Sequence, residues 1–377
     1  MSKELKVGFD AKRVFQNFTG LGNFSRTLLS DLSIHNPSLS LNLFAPKKVE
    51  QERTVEFLQP PFKTYFPKTI FKRSWRTKGM VKDLLKEKID IFHGLSHEIP
   101  LGIEQTKIPS LVSMHDLIIK ADPKQFKWID RKIYQAKFNS ACQRATKIIA
   151  ISESTKRDLL KHFNIPAEKV VVIYQTCHAQ FKTLADPTAK NKFLIEKKLP
   201  SEYMLYVGSA IPRKNLIGLV KAYSRLPKEI QIPLLLVSGE SSYKEKVKIL
   251  IEELGLAKKI IFLNKTIFND LPFLYRGASV LCYPSVYEGF GLPIIESLFQ
   301  KTAVLTGNNS SLPEASGPGA ELVDVKEEEA ILAGLKKLLE STDYRNQLAE
   351  AGFRYVQKFN SKEICHQWQT LYESVRK

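Results

Sequence analysis

Cysteine is scarce in this chain, with four in 377 residues. Cys142, Cys177, Cys282 and Cys365 lie far apart, form no C-x-x-C pair and have no histidine at metal-ligand spacing. That pattern argues against a disulfide framework or a zinc-built core and predicts buried thiols in a reducing compartment. Long apolar runs are missing too: none approaches the ~18 residues that a membrane-spanning helix needs. The opening MSKELKVGFDA lacks the charged, apolar and small-residue order of a secretory signal. A cytoplasmic protein is expected. The P-loop pattern G-x-x-x-x-G-K-[ST], the nucleophile elbow G-x-S-x-G and the zinc motif H-E-x-x-H do not occur, which removes support for P-loop kinases, α/β-hydrolases and zincins. D-x-D, a common diphosphate–metal pattern, is absent, and no metal ligand set is expected.

Acid is in short supply: 39 Asp and Glu face 57 Lys and Arg, a net charge of +18. Residues 1–180 hold 30 of the bases and only 17 of the acids, so most of the excess is in the first half. The stretch 63–88, KTYFPKTIFKRSWRTKGMVKDLLKEK, sets nine bases among Tyr65, Phe66, Phe71 and Trp75. Basic and aromatic residues interleaved in this way suit an anionic membrane surface, or nucleic acid. Lys72, Arg73, Trp75 and Arg76 are the candidates for a membrane-facing or acceptor-facing side. A merely solvated face is the plainer alternative.

What is abundant is alternation of short apolar segments with helix-period segments, the mark of βαβ units and parallel sheets. Strands are expected at 5–11, 41–45, 89–94, 109–116, 147–152 and 170–175, then at 203–209, 232–239, 259–264, 278–284, 302–307 and 320–324. The expected organisation is an amino-terminal Rossmann-like domain at 1–180, a linker at 181–200 where the sequence is polar with two prolines, and a second such domain at 201–360. A last helix at 361–377 is expected to pack back on the first domain. Two doubly wound domains of this kind bind ligands at the carboxyl ends of their strands.

Several segments fall at such strand ends. YEGFGLPIIE (287–296) places Glu288 in a loop after a strand and Glu296 about one turn into the following helix, with a glycine turn between them. Amides at a helix start suit an anion or sugar hydroxyls, and a carboxylate one turn inside suits a vicinal diol. In YVGSAIPRKNL (206–216), Arg213 and Lys214 precede a helix whose positive end they repel, so an anion is expected between them. FTGLGNFSRTLL (18–29) sets Gly20 and Gly22 before a helix, where the backbone can approach a ligand closely. SMHDLII (113–119) brings His115 to a strand end, where it can bond a hydroxyl or act as a base. Each of these segments also has a bland reading as a turn, a solvated acid or a structural histidine.

Taken together, FTGLGNFSRTLL, SMHDLI, VGSAIPRKNL, YEGFGLPIIE and SSLPEASG resemble the retaining glycosyltransferases of the GT-B fold that carry an E-x7-E motif, family four type. Within these the chain is most similar to bacterial mannosyltransferases of surface polysaccharide synthesis. The resemblance implies an α/β fold of two tandem Rossmann-like domains facing a central cleft. It also implies transfer of a hexose from a nucleotide sugar, GDP-mannose first and a UDP-sugar second, to a saccharide or lipid-linked acceptor, without metal or other cofactor. It makes Glu296 the ribose ligand. Glu288 and the amides of Gly289, Phe290, Gly291 and Leu292 would face the sugar and diphosphate, and Lys214 with Arg213 would neutralise the diphosphate. Gly20 and Gly22 would close on the phosphates, His115 would touch the donor sugar, and Asn264, Lys265 and Thr266 would hold the base. Gly208 and Ser209 form the strand-end turn of the donor site; many relatives have arginine where Ser209 stands. SLFQK (297–301) replaces the family's A-M-A-C-G, which puts the packing behind Glu296 in question. Peripheral attachment to the inner face of the cell membrane is expected, and nucleic acid is not expected as a partner. The rival readings are a sugar-nucleotide epimerase on the same fold and a basic nucleic-acid-binding protein.

Overall fold

The computed structural model describes residues 4–68, 74–123 and 126–376. The chain forms two compact units, one of residues 1–176 with 359–377 and one of residues 177–358. The first is built on a seven-stranded sheet: β1 (Leu5–Asp10), β2 (Leu39–Phe44), β3 (Lys63–Tyr65), β4 (Ile91–Gly94), β5 (Ser110–Met114), β6 (Lys147–Ala150) and β7 (Val170–Val172). Its order is β3-β2-β1-β4-β5-β6-β7. All pairs are parallel. The inner strands β1, β4, β5 and β6 are almost wholly buried, as expected where helices cover both faces of a parallel sheet.

β3 was not among the expected strands. Its three residues sit inside the basic stretch and pair with β2 at the sheet edge, Asn42 opposite Lys63, and Tyr65 stacks on Phe44 with ring centroids 4.8 Å apart. Short edge strands carrying lysine are common, because charge discourages pairing with another chain.

The second unit carries β8 (Met204–Val207), β9 (Leu234–Val237), β10 (Ile260–Phe262), β11 (Val280–Tyr283), β12 (Val304–Gly307) and β13 (Ala320–Val323). They run in the order β10-β9-β8-β11-β12-β13, again all parallel. Half of residues 181–200, expected as a linker, form the helix Pro187–Glu196 inside this unit. Asp186 caps it by accepting from the Ala189 amide at 2.8 Å, and Pro187 takes the first position, where its missing N–H costs no bond. The same Asp-Pro pair that reads as a loop breaker is here a helix start.

The closing helix, Ser361–Val375, belongs to the first unit. Its Trp368 and Tyr372 are almost fully buried, and Tyr372 shares a 2.9 Å hydrogen bond with His93 Nδ1. Full burial of such side chains contributes about 1.5–3 kcal/mol each. Ser361 Oγ donates to Asp31 at 2.6 Å, fixing the helix start on the helix Gly20–His35. Among the described residues no helix is long and apolar enough to cross a membrane.

Candidate active site

In each sheet the strand order reverses once, between β1 and β4 and between β8 and β11. Chains leaving those neighbours on opposite faces of the sheet open a crevice at the carboxyl edge, the usual ligand position in such sheets. In the second unit both of the loops at that point carry charge. After β8 come Gly208, Ser209 and a short 3-10 turn, Pro212–Lys214. After β11 comes the loop bearing Glu288, which ends at the helix Leu292–Phe299.

The two loops are tied together. Val286 N donates to Arg213 O at 2.8 Å, and Arg213 Nη1 donates to Tyr287 O at 2.8 Å. Arg213 Nη1 and Lys214 Nζ then converge on one oxygen, Glu288 Oε1, at 2.5 and 2.6 Å. Lys214 also donates to the Tyr283 hydroxyl, with its ammonium 4.4 Å from that ring's centroid. A third loop, after β12, pins the Glu288 backbone. Its amide donates to Ser310 Oγ at 3.1 Å, while Ser311 Oγ lies 2.9 Å from Glu288 O and 2.8 Å from Phe290 O. Burial pushes the Glu288 carboxyl up, but Lys214 and then Arg213 outweigh it and hold it below the usual carboxylate range. Glu288 is therefore an anion at neutral pH, and in this state it occupies the place between the two cations where an anion was expected.

Gly291 opens the helix with φ +125°, and a Cβ there would stand 3.1 Å from Ile294 Cδ1, so glycine is required. Phe290 is buried and Leu292 half-buried, while Gly289 is buried beside Glu288. Glu296 lies on the same helix in different surroundings. It is buried, and the Tyr275 hydroxyl donates to its Oε2 at 2.8 Å. Burial raises its pKa to about 7, against a smaller lowering by Tyr275. One motif thus holds two acids whose affinities for a proton are driven apart by their environments, which suits two tasks rather than one. The altered segment 297–301 packs by a local solution: Gln300 Nε2 donates to Phe181 O and Thr183 O at 2.7 and 2.8 Å.

Gly208 and Ser209 are placed at the switch point. Gly208 has room for a Cβ, its nearest contact being the Tyr206 hydroxyl at 3.5 Å, and Ser209 is exposed. Asn264, Lys265 and Thr266 follow the edge strand β10, two strands away from β8. Asn264 accepts from Lys244 Nζ at 3.2 Å, Lys265 is exposed, and Thr266 is half-buried. Tyr275, Ser310, Ser311 and Lys244 are the supporting groups that motif reading missed. Only the serines had a signal, the segment SSLPEASG.

In the first unit, Gly22 is sterically compelled: a Cβ there would fall 1.8 Å from Asn17 O. Gly20 is exposed with nothing near. Asn17 Oδ1 accepts from the amides of Thr19 and Gly22 at 3.1 and 2.9 Å, doing the work of a cap. His115 does not fit the expected base. It is buried, its Nε2 donates to Leu95 O at 2.8 Å, and its Nδ1 accepts from Gln175 Nε2 at 3.0 Å. Burial, then His97, pushes its pKa down to about 3. Both ring nitrogens are engaged in this ligand-free structure, and the ring is held neutral at its strand end.

The basic stretch also needs correcting. Trp75 is turned inward, 6% exposed, and donates to Asp83 at 2.6 Å. Arg76 reaches the end of β1, giving Asp10 Oδ2 two bonds at 2.9 and 2.6 Å and Glu98 one at 2.7 Å. Asp10 is 5% exposed; a buried carboxylate demands a partner, and Arg76 supplies it. Neither residue faces a membrane. Lys72 and Arg73 lie outside the described residues. No cluster of three or more His, Cys, Asp and Glu able to hold a metal ion occurs among the described residues.

Comparison with known proteins agrees with this geometry. Residues 41–178 match the model of Glycosyltransferase Family 4, and residues 188–355 match Glycosyl transferases group 1. The O-antigen chain mannosyltransferase B of Escherichia coli is 28% identical across 96% of this chain and 97% of its own length. The O-antigen chain mannosyltransferase RfbU of Salmonella typhimurium is 27% identical across 72% of this chain and 71% of its own. A crystal structure of a glycosyltransferase from Rickettsia africae superposes with a TM-score of 0.78 at 18% identity, over 100% of this chain and 99% of that one. With two Rossmann-like units in tandem, both family models in chain order and charged loops at the switch point, the chain belongs to the GT-B glycosyltransferases.

Proposed function

We propose that the chain transfers a hexose, with retention and without a metal ion or other cofactor, from a nucleotide sugar to a saccharide or lipid-linked acceptor in cell-surface polysaccharide or glycolipid synthesis. GDP-mannose is the first candidate donor and a UDP-sugar the second. The observation that carries this reading is the convergence of Arg213 and Lys214 on Glu288 at the switch point of the second unit. The two O-antigen chain mannosyltransferases support the choice of mannose.

The chemistry asks for fixed positive charge. As the bond from the anomeric carbon to the phosphate breaks, negative charge grows on the departing diphosphate, and Arg213 and Lys214 are already in place to stabilise it, usually the largest electrostatic contribution. They take the part that a divalent ion plays elsewhere. The donor diphosphate would draw the two cations partly away from Glu288, leaving that carboxylate to orient the sugar and to favour the cationic character of the anomeric centre. Glu288 is held ionised, so it has no proton to give to a leaving group. For same-face substitution, the phosphate oxygen that leaves takes the acceptor's proton. Glu296, with Tyr275 fixing Oε2, offers Oε1 to the ribose diol.

A panel of GDP-, UDP- and ADP-sugars tests this by thermal shift and by nucleotide release with and without a chelator. A ligand selective for the folded state raises the melting temperature. GDP-mannose should do so for the parent and much less for Glu296→Ala, and turnover should survive chelation. If no sugar nucleotide shifts the melting point, the proposal falls; if chelation abolishes turnover, its metal-free part does.

A further inference from the structure

Lys244 is buried more deeply than Lys214, with 0% of its surface exposed against 8%. It is the third residue of the helix Ser242–Glu253, at the end where the helix dipole repels a cation. Burying an ammonium is costly unless it is well paired. Its carboxylate partner, Glu240 at 2.6 Å, has a side chain 73% exposed, so water competes for that carboxylate and the pair stabilises little. Stability gives a poor reason for a lysine here.

What Lys244 holds is Asn264. Its Nζ lies 4.8 Å from the Phe262 ring centroid and donates to Asn264 Oδ1 at 3.2 Å. Phe262 ends β10 and Asn264 follows it, while the lysine's helix follows the neighbouring strand β9. Ser241 fixes the start of that helix. Its Oγ accepts from the Lys244 amide at 3.0 Å and donates to Ala210 O, in the loop after β8, at 2.5 Å. An ammonium has three N–H groups and nothing that accepts, so only the oxygen end of the Asn264 amide can face it. That oxygen is thereby turned toward a buried group. Asn264 itself is exposed, and the Nδ2 donors are the end left for the open side.

We infer that Lys244 sets the base preference of the donor site. By holding Asn264 as a donor, it selects bases with an exocyclic carbonyl, guanine at O6 or uracil at O4, over adenine and cytosine, which carry an amino group there. The inference rests on the proposed sugar-nucleotide reading, which brings the base to Asn264. An unrestrained asparagine pairs with adenine by accepting from N6 while donating to N7, whereas guanine offers two acceptors, O6 and N7, on that edge. With its oxygen held by Lys244, Asn264 loses the adenine pairing and keeps the guanine one. An amino group facing Nδ2 would set donor against donor, both short of a partner. Lys244 is a positioning residue, since it touches Asn264 and not the base.

The test measures the affinities of GDP, IDP, ADP, UDP and CDP for the full chain by titration calorimetry. IDP keeps O6 but lacks the 2-amino group of guanine, so it isolates the carbonyl. Whichever ring size the site accepts, the carbonyl base should bind at least about tenfold tighter than its amino counterpart: GDP and IDP over ADP, or UDP over CDP. Lys244→Met replaces a buried charge with an apolar chain of similar length and should bring the ratio close to one. Asn264→Asp, which offers acceptors only, should reverse the order; it changes an exposed residue and gives the same readout should Lys244→Met fail to fold. A lysine with a structural task alone would lower the melting temperature when replaced and leave the ratio as it was, which would overturn the inference. So would carbonyl and amino bases bound alike by the parent, with the proposed reaction left standing. Absence of binding by all of these nucleotides would remove both.

Discussion

The Tyr275 hydroxyl meets Glu296 at 2.8 Å in buried surroundings, and the carboxyl it touches titrates at about 7. The unfolded chain releases that proton near the ordinary glutamate value, so between there and pH 7 the folded state binds more protons than the unfolded one. Stability therefore falls as pH rises through this window and levels off above it. The full shift corresponds to about 3 kcal/mol. Glu296→Gln should match the parent near pH 4 and be the more stable of the two at pH 8, while binding donor poorly. Denaturant melts at both pH values check this; a difference that does not vary with pH contradicts the assignment.

Lys214 and Arg213 share one carboxylate oxygen, so their removal leaves a buried charge short of partners. Lys214→Met should lower kcat by about a hundredfold or more, the scale expected for one preorganised electrostatic group, and should also reduce stability. Glu288→Gln should reduce turnover far more than donor affinity, and Glu296→Ala the reverse. Steady-state kinetics with a donor titration separates the cases; the opposite pairing would exchange the two roles.

Gly22 and Gly20 are two residues apart and should respond differently to the same methyl group. Gly22→Ala drives a Cβ into the Asn17 carbonyl and should cost about 1–3 kcal/mol, as other forced overpacking does. Gly20→Ala meets nothing within 4 Å and should leave the melting temperature unchanged or slightly raised. Calorimetry of the two variants is sufficient; equal losses would mean that the helix start moves.

Arg76→Met should act on folding rather than on lipid. It strips Asp10 of its charged partner at the end of β1, a loss of about 3–5 kcal/mol for a broken buried pair. Vesicle binding by the protein that remains folded should be unaltered. A variant of normal stability with reduced lipid binding would restore Arg76 to the surface.

Patterns with a strong period were legible from residues alone. The parallel sheets follow from apolar runs set between helical segments, and the closing helix, expected at 361–377, is observed over Ser361–Val375. Glu288, Arg213 and Lys214 could be picked because charges at strand ends have few structural reasons to be there. β3 escaped because three residues under lysine-rich cover carry no period. The inward turn of Arg76 was not legible because a count of charges does not say which way a side chain turns, and Asp10, the acid that draws it in, is 66 residues away in sequence. The same applies to His115, whose partners Leu95 and Gln175 come from two distant segments. Tyr275 had no local signal, since its role exists only once its helix lies against the one bearing Glu296.

The first unit takes its last helix from beyond residue 358, so during synthesis its core stays open while residues 177–358 are made. At the usual ribosomal pace of about 5–20 residues per second, that wait is about 10–40 s. For that interval the slot that Trp368 and Tyr372 will fill beside His93 is open to solvent, and the second unit, later in the message, is the first to have all of its parts.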